Sequence, residues 1–309
     1  MIESTSKTSA ATTGDAPSAL SPSAPGDGVS PAGGTKAGLA SKPPRKPFRV
    51  QHIAQAKANG NKLVMLTAYD AVTARILDDA GCDMLLVGDS LGNVMLGLDS
   101  TIPVELEEML VATRSVARAT KYAMVVADMP FGSYESGPKQ ALACATRLLK
   151  AGANAVKLEG GRPRVKTVQA LTNAGIPVIG HLGFTPQSVN MLGGFRVQGR
   201  GDEAGDRLVA DALALAEAGA PAIVLEMVPE PLAARVTREC PAATIGIGAG
   251  ARCDGQVLVW TDMAGMTDWK PRFAKHFGQV GAALAQAAEG YAAAVRDGSF
   301  PSAEHWFES

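Results

Sequence analysis

Residues 148–161 read Leu-Leu-Lys-Ala-Gly-Ala-Asn-Ala-Val-Lys-Leu-Glu-Gly-Gly, and the order of these residues decides the fold. A helical segment stops at Gly152, where a residue without a β-carbon turns left-handed at little cost. A short run from Ala155 to Leu158 then reads as a strand, ending on Glu159 and two glycines. Apart from Lys157 the run is apolar throughout, as parallel strands covered on both faces are.

The same succession recurs outward in both directions. Candidate strands are Leu63–Ala68, Met84–Gly88, Ala123–Ala127, Ala155–Leu158, Pro177–Gly180, Ala222–Leu225, Thr244–Ile247 and Val257–Trp260. Helical segments lie between them. Asp70 is placed to cap a helix whose apolar positions Val72, Ile76, Leu77 and Ala80 end at Gly81. Pro103 opens another, with Glu105, Glu107 and Glu108 in the first turn, where the helix dipole favours acids. Leu208, Ala212 and Leu215 form a further stripe that stops at Gly219. Eight strands alternating with helices over about 250 residues match an α/β fold of the (β/α)₈, or TIM, barrel class, with an open doubly wound sheet as the fallback.

Composition removes several function classes. A net charge of −1 gives no bulk attraction to nucleic acid, and 5% aromatic residues leave little for base stacking. No apolar run reaches the roughly 20 residues that span a bilayer, and no secretory signal opens the chain. Cytoplasmic residence is the expectation. Cys82, Cys144, Cys240 and Cys253 form no Cys-x-x-Cys pair and read as small buried hydrophobes. Residues 1–46 are rich in Ser, Thr, Ala, Pro and Gly, so a disordered extension is expected there, followed by a catalytic barrel over 47–309. A transit peptide is the rival reading of that extension, but no arginine precedes Arg45.

In a barrel of this class the chemistry collects where strands end. Five consecutive strands deliver ionisable groups there: Asp89, Asp128, Glu159 with Lys157, His181, and Glu226. Singly, an aspartate at such a junction is a helix cap and a lone histidine a core residue. Together they point to a site. Carboxylates without a cysteine among them suit a hard cation with oxygen ligands, Mg²⁺ above all. Such a cation would chelate a 2-oxo acid and stabilise the enolate left when a proton departs from the adjacent carbon. Glu226, behind an apolar stretch on the sixth strand, is the candidate base, and Lys157 the positive charge for a carboxylate or enolate oxygen. The long loop Gly183–Gly201 reads as a lid or a wall for a second substrate. Gly246-x-Gly248-x-Gly250 is a weak candidate cradle for an anion.

Thr67-Ala-Tyr-Asp70, Val87-Gly-Asp-Ser-Leu-Gly92, Asp99-Ser-Thr101, Ala127-Asp-Met-Pro130, Ala151–Gly161, Gly180-His-Leu-Gly-Phe-Thr-Pro-Gln187, Val197-Gln-Gly-Arg-Gly201, Leu225-Glu226 and Ile245–Gly250 together resemble the ketopantoate hydroxymethyltransferase family, over roughly residues 48 to 300. The resemblance implies a (β/α)₈ barrel of the phosphoenolpyruvate/pyruvate type. It implies hydroxymethyl transfer from 5,10-methylenetetrahydrofolate to 3-methyl-2-oxobutanoate, giving 2-dehydropantoate in pantothenate biosynthesis. By the same resemblance Asp89, Asp128 and Glu159 match Mg²⁺ positions, with one ion per subunit. Asp89, Ser90, Asp128 and Lys157 match positions that hold the oxo acid, His181 lines the substrate site and Glu226 matches the proton acceptor. A homodecamer is the assembly implied. The rival is a Mg²⁺-dependent lyase of the isocitrate lyase or phosphoenolpyruvate mutase type, whose Lys-Lys-Cys-Gly-His segment the chain lacks.

Overall fold

Eight parallel strands hydrogen-bond in sequence order and close on themselves, β8 pairing with β1. The computed structural model describes residues 45–308. Most of the expected disordered extension, residues 1–44, lies outside the described residues. Arg45 is attached to the barrel: its guanidinium donates to the carbonyl oxygens of Asp78 (2.6 Å) and Cys82.

The strands are β1 (Leu63–Thr67), β2 (Met84–Val87), β3 (Met124–Asp128), β4 (Ala155–Glu159), β5 (Val178–Gly183), β6 (Ala222–Glu226), β7 (Ala243–Ile247) and β8 (Gly255–Leu258). Helix α1 (Val50–Asn59) precedes the first strand and closes the bottom of the barrel with the buried Ile53. The helices that follow are α2 (Ala71–Ala80), α3 (Leu91–Val94), α4 (Leu106–Ala119), α5 (Pro138–Lys150), α6 (Val165–Asn173), α7 (Val189–Leu192), α8 (Asp202–Glu217), α9 (Glu230–Glu239), α10 (Trp260–Ala264) and α11 (Val280–Asp297).

Strand parity divides the core in two. Met65, Met84, Met124, Val126, Ile179, Val224, Ile245 and Val257 point into the barrel, where flexible methionines fill the irregular lower layers. Leu85, Val125, Val156, Val178, Ile223 and their neighbours point outward against the helices. The inward set continues upward in steps of two. Val126 leads to Asp128, Ala155 to Lys157 and Glu159, Ile179 to His181, and Val224 to Glu226. The period that places methionines at the bottom therefore places the ionisable groups at the top.

Three details differ from the expectations, each for a physical reason. Strand β8 begins at Gly255 and ends at Leu258, so Trp260 opens α10 instead of closing a strand. A β-carbon on Gly255 would stand 2.6 Å from the Leu63 carbonyl oxygen, so only glycine lets the two strands approach. No helix separates β7 from β8, and residues 248–254 alone make the return. Within that link the missing β-carbons of Gly248 and Gly250 leave room for Phe273 and Glu230. That packing accounts for the glycines without an anion.

The third difference concerns α2. Its Asp70 cap accepts from the Val72 and Thr73 amides at 2.8 and 2.9 Å. The helix buries Ala74, Leu77 and Asp78, whereas Val72 (72%) and Ile76 (63%) are exposed. Asp78 decides the face. Its carboxylate accepts from the backbone amides of Lys121 (2.7 Å), Tyr122 (3.2 Å) and Ala123 (2.7 Å), which turns α4 into β3. All four cysteines are free and buried, and burial pushes the Cys82 thiol up to about 11. Among the described residues no helix is long and apolar enough to cross a membrane.

Replacing Asp78 by alanine leaves the amide donors of this turn without an acceptor, one of them fully buried. The expected cost is about 3 kcal/mol, read as a lower urea midpoint at unchanged slope.

Candidate active site

Asp89, Ser90, Asp128, Lys157, Glu159, His181 and Glu226 line one cavity of about 350 Å³ above the inner apolar layer. The strand register brings their carriers side by side: Asp128 pairs with Lys157 across β3–β4, Glu159 with His181 across β4–β5, and Gly183 with Glu226 across β5–β6. Asp89, Asp128, Lys157, Glu159 and His181 are all buried.

Lys157 is the hub. Its ammonium stands 2.9 Å from Asp128 Oδ1 and 3.3 Å from His181 Nδ1. That imidazole nitrogen also lies 3.1 Å from Glu159 Oε1, and the opposite one, Nε2, lies 3.3 Å from Glu226 Oε2. Burial pulls the His181 pKa down and the Lys157 charge repels its proton. The carboxylates of Glu159 and Glu226 outweigh both and raise it to about 9. That shift favours the protonated imidazole, which stands between the two acids. Lys157 follows the same logic: burial disfavours its charge, and Asp128, Glu159 and Asp89 more than restore it.

Asp89 carries the opposite strain. Burial, then repulsion from Asp128 and Glu159, pushes its carboxyl up to about 8. Its backbone N–H donates to Asp128 Oδ2 at 3.0 Å, which ties β2's end to β3's. With Asp89, Asp128, Glu159 and Glu226 ionised and His181 protonated, this cluster with Lys157 carries a net charge of −2, which a divalent cation would neutralise. Among the described residues no three His, Cys, Asp or Glu side chains form a ready-made cage. Asp128 Oδ1 faces the Lys157 ammonium, and of the Asp89 oxygens only Oδ2 accepts a hydrogen bond among the described residues. Glu159 is met on both oxygens, by His181 at Oε1 and by the Gln187 backbone N–H, which donates to Oε2 at 3.0 Å. Clustered carboxylate oxygens are the hard donors that Mg²⁺ prefers, and that ion keeps several positions for water and substrate.

Gln187 escaped the sequence reading because it is neutral and sits in a loop. Its side-chain amide donates to Asp89 Oδ2 (2.8 Å) and to the Met129 carbonyl (3.0 Å). Its Oε1 accepts from the buried Tyr134 hydroxyl at 2.5 Å. Tyr69, whose hydroxyl lies 2.8 Å from Ser90 Oγ, was missed for the same reason. Thr101 also lines the cavity, with a buried hydroxyl that has no partner.

The β5 loop bends over this site through a short turn at Pro186–Ser188 and α7. Gly183 (φ +93°) admits it: a β-carbon there would stand 2.2 Å from the Glu226 carbonyl oxygen, which instead accepts from the Phe184 amide at 2.8 Å. Phe184 is buried, and Phe195 stacks on it at 4.7 Å while lining the cavity. Met191 is 89% exposed and takes no part in this wall. After Glu226 the chain enters the left-handed region at Met227 (φ +49°), a conformation unusual for a residue with a side chain. Met227's amide donates to Ile247 O and its carbonyl accepts from Gln198, both at 2.9 Å, so backbone bonds from two directions hold it.

Known proteins place this geometry. The solved structures it resembles include phosphonopyruvate hydrolase, determined with oxalate and Mg²⁺ (TM-score 0.53, 16% identity, 82% of this chain and 92% of that one). Another is 2,3-dimethylmalate lyase (TM-score 0.52, 17% identity, 84% and 91%). At these identities the likenesses show the barrel fold and nothing finer. Relatives in sequence go further. The 3-methyl-2-oxobutanoate hydroxymethyltransferase of Saccharopolyspora erythraea is 55% identical over 280 residues, 90% of this chain and 95% of its own. That of Frankia casuarinae is 58% identical over 266 residues, 85% and 90%. The family profile described as ketopantoate hydroxymethyltransferase matches residues 47–303, and the chain belongs to that family.

Proposed function

We propose that this cavity carries out the family's reaction, moving a hydroxymethyl group from 5,10-methylenetetrahydrofolate to 3-methyl-2-oxobutanoate with Mg²⁺ held by Asp89 and Asp128. The observation that carries the reading is the separation of Glu226 from the other acids. It reaches the cavity from β6 across His181, 3.3 Å from the imidazole, while Asp89 and Asp128 are joined to each other on the opposite side.

A Mg²⁺ ion bound there supplies Lewis-acid polarisation of the oxo acid. The residues of the chain do the rest. Lys157 holds the developing negative oxygen or the substrate carboxylate in a site with little water, where such a contact is strong. Ser90, fixed by Tyr69, is placed to donate a further hydrogen bond to the acid. Glu226 takes the proton from C3, and the C3–H electron pair becomes the enolate double bond. His181 positions Glu226 and keeps Glu159 turned inward. C3 then bonds to the one-carbon unit, water supplies the hydroxyl oxygen, and tetrahydrofolate departs. Glu159, the third acidic metal position by the resemblance, would complete the cation's acidic surroundings, held in place by His181 and the Gln187 backbone N–H. Water-filled positions are usual for Mg²⁺.

Assembly with further copies, the homodecamer implied by the resemblance, belongs to the same reading. Two features support it: α11 buries none of its residues, leaving Leu284 60% and Tyr291 61% exposed, and Val64 on β1 is 48% exposed where no helix covers it.

The reading is tested by proton exchange at C3 in ²H₂O, with Mg²⁺ and no folate. Glu226→Gln abolishes exchange and leaves oxo acid affinity within about threefold of wild type; loss of affinity instead removes Glu226 as the base. Asp128→Asn weakens Mn²⁺, titrated as a paramagnetic stand-in, and the oxo acid together, since one chelate holds both. Gln187→Ala lowers Mn²⁺ affinity by about tenfold to a hundredfold, the usual effect of removing a partner behind a ligand, and Gln187→Glu does not rescue it because it adds a further carboxylate beside Asp89 and Glu159. Unchanged Mn²⁺ affinity in Gln187→Ala leaves that residue a packing role only.

A further inference from the structure

The cavity has two chemically different ends. One is the charged floor. The other is a rim of aromatic rings, with Phe195 from the β5 loop and Trp269 and Phe273 from the segment after α10. Phe195 and Trp269 are each 75% exposed and Phe273 36%. Three such rings at one cavity mouth are a costly arrangement for a surface facing only water, and grouped apolar exposure of this kind marks a binding surface.

The same cavity is lined by a fifth acid, Asp262 on α10. Its carboxylate accepts no side-chain or backbone hydrogen bond among the described residues, although it is partly buried. Burial raises its carboxyl, with His276 acting the other way. A covered carboxylate without a donor is an incomplete pair, and a ligand with two adjacent N–H groups completes it.

Beyond the rim, Phe273 is shared with a second hollow of about 850 Å³ lined by Lys62, Val197, Met227 and Arg272. Arg272 is exposed and pairs with no carboxylate among the described residues. The surface thus runs from hydrogen-bond acceptor, through stacking rings, to free cation.

The donor named in the proposed function has a matching order of groups, and the inference rests on that function. Its reduced pterin offers an amino group beside a ring N–H, a flat face, and a tail ending in carboxylates. Its one-carbon unit must come within about 3–3.5 Å of C3 of the oxo acid, so the ring that carries it has to enter this cavity. We propose that Asp262 and the rim of Phe195, Trp269 and Phe273 form the pterin subsite, Asp262 accepting from the amino group and the neighbouring ring N–H. The carboxylate tail leaves over Phe273 toward Arg272.

The full-length protein with Mg²⁺ tests this through the two Michaelis constants and the quenching of tryptophan emission by tetrahydrofolate. Asp262→Asn keeps the shape but turns part of the acceptor into a donor. It is expected to raise the methylenetetrahydrofolate KM by at least about tenfold, as loss of a charged hydrogen bond does, while the oxo acid KM moves less than about twofold. Trp269→Leu, at an exposed position outside the core, is expected to remove most of the quenching and to raise the same KM. A folate KM within about twofold of wild type in both variants overturns the subsite, as does a joint rise of both constants. A wild-type protein that exchanges the C3 proton yet neither binds tetrahydrofolate nor transfers the carbon overturns the proposed function itself, and the subsite with it.

Discussion

The buried ammonium of Lys157 is the contact on which the upper half of the barrel depends. Asp89, Asp128 and Glu159 would crowd a water-poor space with like charges without it, and Asp89 shows the residual stress in its raised pKa. Removing one partner from a buried pair typically costs 3–5 kcal/mol, because the other is left uncompensated. The lysine must therefore come from inside the sheet. Strand β4 provides it two residues above Ala155, whose small side chain leaves the stem room to rise past the apolar layer. Its neighbours in register, Asp128 on β3 and His181 on β5, then stand within reach of one ammonium.

From that hub the β5 loop is fastened at both sides of the cavity. Gln187 grips Asp89 and Glu159 on one side, and Phe184 and Gln198 bond the backbone at Glu226 and Met227 on the other. The left-handed Met227 fits this picture. A strained residue persists where surrounding bonds over-determine it, and here the bonds come from β7 and from the loop. Closing the loop and aiming Glu226 are thus one structural event, so the two acidic sides of the cavity keep a fixed spacing.

Much of this was legible in the sequence because parity is local. Once Ala155, Lys157 and Glu159 are read on one strand, their common direction follows from the twofold period alone. The same holds at Asp128 and Glu226, whereas Asp89 lies past the end of β2, out of phase with the inward Met84 and Leu86, and is aimed by the turn that follows the strand. What stayed hidden depended on neighbours far along the chain. Val72 and Ile76 promised a buried stripe on α2, but three amides at 121–123 needed Asp78 turned inward. The start of β8 was masked because Gly255 looks like a turn, although its lack of a β-carbon serves close approach to Leu63. Gln187 carries no charge and Asp262 sits on a one-turn helix, so neither shows any pattern until the loops are folded over the cavity.

The division between barrel and loops also explains how a shared fold can serve different reactions. The likeness to phosphonopyruvate hydrolase and 2,3-dimethylmalate lyase lies at 16% and 17% identity, so what is common is the barrel fold. Strand ends can assemble a floor for a charged oxo acid wherever inward positions carry carboxylates. They cannot supply the opposite wall, because that space belongs to whatever the connecting segments place there. In this chain the connections after β5 and β8 add three aromatic rings and the Asp262 carboxylate to the lining of the same cavity. On the proposed function, the floor selects the bond that is activated, and those two segments select the second molecule that comes close enough to react.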